Sequence, residues 1–217
     1  MQMTASRGSG SQSKGKNFER SISKKLTKLF PGITFNRTAY SGATSNLAAQ
    51  SGIETFTGDL FAQPGTPLEG LFSYELKNHQ NFKLAQVFNN GAIFKDFLHQ
   101  NVTDGRRQHS VPVLIMHSQQ ERDDIVTVPY HKDMYQHLVD NDFPAMITYG
   151  RYTDERTQVE NNFDLIVTNL KGFGSPTANQ LHKWYHKLDW DKYNENQETP
   201  KQEIDVDKLV DSIGNET

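Results

Sequence analysis

The chain has no cysteine in its 217 residues. That excludes disulfides and every thiolate metal site, and it fits a reducing compartment. No apolar run approaches the roughly 18 residues needed to span a bilayer. The Ser/Gly/Lys-rich start has no hydrophobic signal core. Only 35% of residues are hydrophobic, so the core must be concentrated and polar stretches left outside it. These readings describe a soluble, cytoplasmic protein of one domain plus appendages. The chain also lacks a strong net charge, at −3, but the total hides an asymmetry. Residues 1–28 carry seven basic groups (Arg7, Lys14, Lys16, Arg20, Lys24, Lys25, Lys28) against Glu19 alone, a net of +6. Residues 195–217 carry seven acidic groups against Lys201 and Lys208, a net of −5. A basic end of this kind supplies phosphate contacts while the whole chain stays acidic.

Residues 1–13 read as a flexible basic arm. A helix is expected from about Asn17, because Phe18, Ile22, Leu26, Leu29 and Phe30 share a face; Pro31-Gly32 stops it. A strand is expected over 33–37, then a hydroxyl-rich loop around Tyr40-Ser41-Gly42. After Lys77 a helical pattern runs to Leu98, broken in two at Asn89-Asn90-Gly91. The runs 111–117 and 124–129 read as antiparallel strands, followed by a helix over 131–140 and strands near 145–149 and 163–168. Lys171 to Pro176 reads as a Gly-rich connecting loop, with a basic aromatic DNA-contact loop as the other reading, and Thr177 to Leu188 as a helix. The main domain is expected over 14–192, before a linker at 193–203. An acidic amphipathic helix at 204–217 (Val206, Leu209, Val210, Ile213) would then bind its own domain or a protein partner.

The stretch from Asp59 to Lys77 carries the chemistry. Gly58-Asp59-Leu60-Phe61-Ala62 and Leu71-Phe72-Ser73-Tyr74-Glu75-Leu76-Lys77 read as two strands around a Pro/Gly turn. Glu75 and Lys77 are two apart, so a strand puts them on one face. If the strands are neighbours, Asp59 reaches that face too. Two carboxylates beside one ammonium suit Mg²⁺, a hard cation that prefers oxygen ligands. Asp, a gap and Glu-x-Lys also arise by chance, so the pieces upstream matter: Lys14-Gly15-Lys16-Asn17-Phe18-Glu19-Arg20 on the first helix, then Arg37 and Ser41-Gly42.

In that order these pieces resemble the PD-(D/E)XK nuclease superfamily, and within it the archaeal-type Holliday-junction resolvases and phage enzymes of that kind. The resemblance covers residues 14–117. Gly58 stands where the superfamily name has proline, and residues 118–217 lie beyond the resemblance. It implies an α/β, restriction-endonuclease-like αβββαβ core, a central mixed sheet flanked by helices, with a C-terminal extension. It implies catalytic roles for Glu19, Asp59, Glu75 and Lys77. The metal ligands would be Asp59, Glu75, the Leu76 main-chain carbonyl and Glu19, holding Mg²⁺ with Mn²⁺ as a substitute. DNA contacts would come from Arg37, Ser41, Lys16, Arg20 and Lys24. A homodimer acting on branched DNA in recombination or repair, in a prokaryotic or phage-infected cell, follows from the same resemblance. A restriction-like or phage nuclease acting on other DNA, and a DNA-binding protein with a vestigial site, are the alternatives. The pairs His131/His137 and His182/His186 lack an HExxH pattern, so they read as exposed or DNA-proximal rather than as zinc ligands. His79 lies close enough to Lys77 to touch substrate.

Overall fold

The computed structural model describes residues 9–38, 58–118, 122–153, 158 and 160–190. Ser41 and the expected linker and tail helix lie outside these residues. Helix α1 (Ser9–Leu29) buries Phe18, Ile22 and Leu26 along one side, with Phe30 just past its end. It begins eight residues before Asn17, so residues 9–13 belong to the helix rather than to an arm. The polar start carries no apolar periodicity. Once the buried turns are nucleated, however, each upstream residue adds a backbone hydrogen bond at little cost. Gly32, at φ +84°, turns the chain out of the helix.

Among the described residues seven strands form one sheet: β1 (Phe35–Arg37), β2 (Leu60–Ala62), β3 (Phe72–Asn78), β4 (Val111–His117), β5 (Ile125–Pro129), β6 (Met146–Thr153) and β7 (Glu160–Asn169). Their order is β1-β2-β3-β4-β5-β7-β6. Only β3 and β4 pair in parallel. A parallel pair needs a crossover, and α2 (Ala85–Phe88) and α3 (Ala92–Gln108) supply it, split at Asn89-Asn90-Gly91 as the sequence indicates. Asn90 has a second use. Its amide accepts from Arg151 N–H at 2.9 Å and donates to Tyr149 C=O at 3.0 Å, occupying main-chain groups of the edge strand β6.

The sheet separates two apolar clusters. Helix α1, α4 (Lys132–Asp140), α5 (Leu170–Phe173) and α6 (Ala178–Tyr185) cover one face with Ile22, Leu26, Leu138, Phe173 and Tyr185. Helices α2 and α3 cover the other with Val87, Phe94, Leu98 and Val102. This is a restriction-endonuclease-like α/β fold whose C-terminal extension adds β5, β6 and β7 to the same sheet. The Gly-rich segment after β7 is not an exposed loop. Leu170 to Phe173 form a helical turn capped by Asn169, whose side chain accepts Gly172 N–H at 2.8 Å, and Phe173 is fully buried. Only Lys171 of that turn faces solvent, because Phe173 packs against Phe30 and Phe72.

Candidate active site

Strand parity decides which side chains meet. Tyr74 and Leu76 of β3 enter the α1-side cluster, so Ser73, Glu75 and Lys77 point to the α3 side. Their β4 partners Leu114 and Met116 lie in the α3-side cluster, in agreement. Strand β2 pairs antiparallel to β3 with Leu60 opposite Tyr74, so the register carries Asp59 across from Glu75. Asp59 is held on three sides. Its N–H donates to Tyr74 C=O at 2.7 Å, its C=O accepts from Thr38 N–H at 3.0 Å, and its Oδ2 accepts from Leu76 N–H at 2.9 Å. Gly58 makes this approach possible: it sits at φ +84°, and a Cβ there would stand 2.8 Å from Tyr74 O.

The expected trio therefore comes together. Glu75 is only 2% exposed, and its Oε1 accepts from Lys77 Nζ at 2.6 Å. Burial pushes the Glu75 pKa up to about 8; the Asp59 charge adds to the rise and Lys77 opposes it. Burial likewise pushes Asp59 up to about 6, offset in part by the Leu76 N–H, with Glu19 adding to the rise. Two carboxylates are thus drawn from water with one ammonium between them. That is the imbalance a divalent cation relieves, and the hard oxygen donors suit Mg²⁺. The residues present fit the cation that the resemblance implies.

Glu19 is used differently from a ready ligand. Its Oε2 accepts from Arg37 Nε at 2.6 Å, and Nη2 of the same fork donates to that oxygen. Among the described residues no group of three or more His, Cys, Asp or Glu is gathered closely enough to cage a metal. Glu19 and Arg37, expected to act on metal and phosphate separately, are joined at the edge of the site. Lys16, Arg20 and Lys24 lie on the exposed side of α1.

Three residues of the site were not legible in the sequence, and all lie on α3. Gln100 Oε1 accepts from Lys77 Nζ at 2.7 Å. The Phe97 ring stands 5.5 Å from the same nitrogen. Asp104, its pKa raised by burial and lowered by Arg107 and Lys77, adds negative potential at both Asp59 and Glu75. The only signal for them was their common spacing on one helical face, which reads as ordinary amphipathicity. His79 lies beside this group, its ring edge-on to Phe97 at 6.0 Å. The histidines of the two sequence pairs have structural partners. His131 caps α4 by accepting Asp133 N–H, His137 meets Ser175 Oγ at 3.1 Å, and His182 and His186 stack at 4.8 Å.

No curated protein and no solved structure matches the chain. One family model does match, over residues 10–183, a span that runs from the first turns of α1 through all seven strands into α6. That span takes in Glu19, Asp59, Glu75 and Lys77, so the chain belongs to the family described as "Phage putative PDDEXK endonuclease".

Proposed function

We propose that this protein is a Mg²⁺-dependent DNA endonuclease, with Mn²⁺ able to substitute, that acts on branched DNA in recombination or repair. The observation that carries the reading is the buried Glu75, held by Lys77 and faced across the β2–β3 register by Asp59. Asp59 and Glu75 would hold the cation, with the Leu76 carbonyl and, through water, Glu19 completing the set. A divalent cation bound there supplies Lewis acidity, acidifying water and offsetting charge on the phosphate. Lys77 balances the charge that grows on the phosphate oxygens and orients the attacking water. Arg37 keeps Glu19 in place, and its planar fork suits a phosphate. The exposed cations Lys16, Arg20 and Lys24 would hold the DNA backbone. Hydrolysis would leave 5′-phosphate and 3′-hydroxyl ends.

Preference for branched DNA rests on the ordered likeness to junction resolvases, and so does a homodimer, since a four-way junction needs two paired cuts. The test is a side-by-side incubation with Mg²⁺ and labelled junction, flap, duplex and single-stranded DNA. Faster cutting of junction or flap than of duplex supports the reading. Equal cutting of plain duplex replaces it with a restriction-like nuclease whose recognition element lies in residues 118–217.

A further inference from the structure

Helix α3 meets the catalytic edge of β3 with one stripe of side chains. Phe97, Gln100 and Asp104 are three and four residues apart and share a face. The turn is pinned in depth: Asn101 is buried and donates from Nδ2 to Ser73 C=O at 3.0 Å. Phe97 is wedged between His79 and Phe82, both at 6.0 Å between ring centres. Against this fixed surface Lys77 places its ammonium 2.7 Å from Gln100 Oε1 and 5.5 Å from the centre of the Phe97 ring. An ammonium has no acceptor, so Gln100 must present its oxygen, and its NH₂ faces away.

We propose that Gln100 is a positioning residue that fixes the Lys77 ammonium for the reaction, with Phe97 as the apolar wall behind it. The catalytic meaning of this rests on the nuclease reading. A lysine side chain has much rotamer freedom to lose, so it does not stay in one place without partners. Of the ammonium's three donors, Glu75 takes one and Gln100 another. Glu75 has a competing obligation, because its oxygens are also the ones that would face a cation. Gln100 has none. Its neutral amide holds the nitrogen without adding charge beside the Asp59 and Glu75 carboxylates.

The test is a double-variant cycle between positions 77 and 100 in the full chain. Gln100→Met keeps length and helix propensity but removes the acceptor. It should slow single-turnover cleavage by roughly 10–100-fold, the scale of a misplacement of about 1 Å, while DNA affinity stays within about twofold. On a Lys77→Met background the same change should cost nothing further. In the metal-free protein the melting shift of the double variant should fall short of the summed single shifts by roughly 1–2 °C or more. A wild-type rate in Gln100→Met, a full extra loss on Lys77→Met, or additive melting shifts would each overturn the proposal. If the wild type cuts no DNA at all, the nuclease reading fails separately, and the melting cycle alone decides whether Gln100 holds Lys77.

Discussion

Glu75 is the residue at which fold and chemistry meet. Its carboxylate is buried beside Asp59 and held by Lys77, a costly arrangement unless something charged is to be bound. Asp59→Ala, Glu75→Ala and Lys77→Ala should each reduce cleavage by about 10²-fold or more, with circular dichroism and DNA affinity largely unchanged. A pH effect follows from the raised pKa values. A carboxyl that binds its proton more tightly in the folded state makes folding less favourable as pH rises. Stability of the metal-free protein should therefore decline from pH 4 toward pH 6 through Asp59, and on toward pH 8 through Glu75. Glu75→Gln should raise the melting temperature at pH 8 and leave it nearly unchanged at pH 4.5; a pH-independent shift would contradict this. Gly58→Ala should displace Asp59, because any Cβ meets Tyr74 O and the backbone is left-handed. It should cost about 1–3 kcal/mol and most of the cleavage rate. Asp59, Glu75 and Lys77 were legible because strand period two and a turn place them together from short-range sequence alone. Gln100 was not. Its hydrogen bond with Lys77 is made across 23 residues, by a helix whose depth depends on Asn101 and the packing of Phe97.

Helix α1 has two working sides. Its buried side was readable from the spacing of Phe18, Ile22 and Leu26, and so was its end at Pro31-Gly32; its start was not, because nothing apolar marks residues 9–13. The polar side divides in a way that charge counting misses. Lys16, Arg20, Lys24 and Lys28 recur every four residues and are exposed, forming a ridge with about 6 Å of axial rise between cations. Lys25 is outside that ridge. It reaches Asp124 Oδ2 at 2.6 Å, and Asp124, with only 4% of its side chain exposed, also meets His117 Nδ1 at 3.0 Å. Replacing Lys16, Arg20, Lys24 and Lys28 by Gln should flatten the salt dependence of DNA binding by up to about 0.9 in slope for each phosphate that the variant no longer neutralises. Lys25→Ala should barely change that slope. It should instead destabilise the fold by about 1–3 kcal/mol, by leaving a buried carboxylate short of a partner. An unchanged plot of log K against log salt in the four-residue variant would place DNA on another face.

The described residues form a single sheet, with Asp59 and Glu75 near one end of the strand order and a C-terminal elaboration at the other. The αβββαβ order of the first half was legible, since each element is short-range and bounded by turns. That β5, β6 and β7 extend the same sheet was readable only in part: the β4–β5 antiparallel pair follows from adjacency, whereas β7 inserts between β5 and β6, a crossing that no local pattern encodes. The ends carry opposite charge, +6 and −5. Because the acidic end follows a polar stretch, truncation after Tyr193 should leave metal-dependent cleavage intact and lower either the oligomeric mass or the melting temperature. Loss of cleavage from a still-folded truncation would show that the catalytic unit extends further. The central claim is that the Asp59–Glu75 carboxylate pair holds a divalent cation for DNA hydrolysis. It is tested most directly by following cleavage of labelled junction DNA by wild type and Glu75→Ala, with Mg²⁺ and with EDTA. The account predicts cutting only by wild type with Mg²⁺; cutting undiminished by EDTA, or full activity in Glu75→Ala, would contradict it.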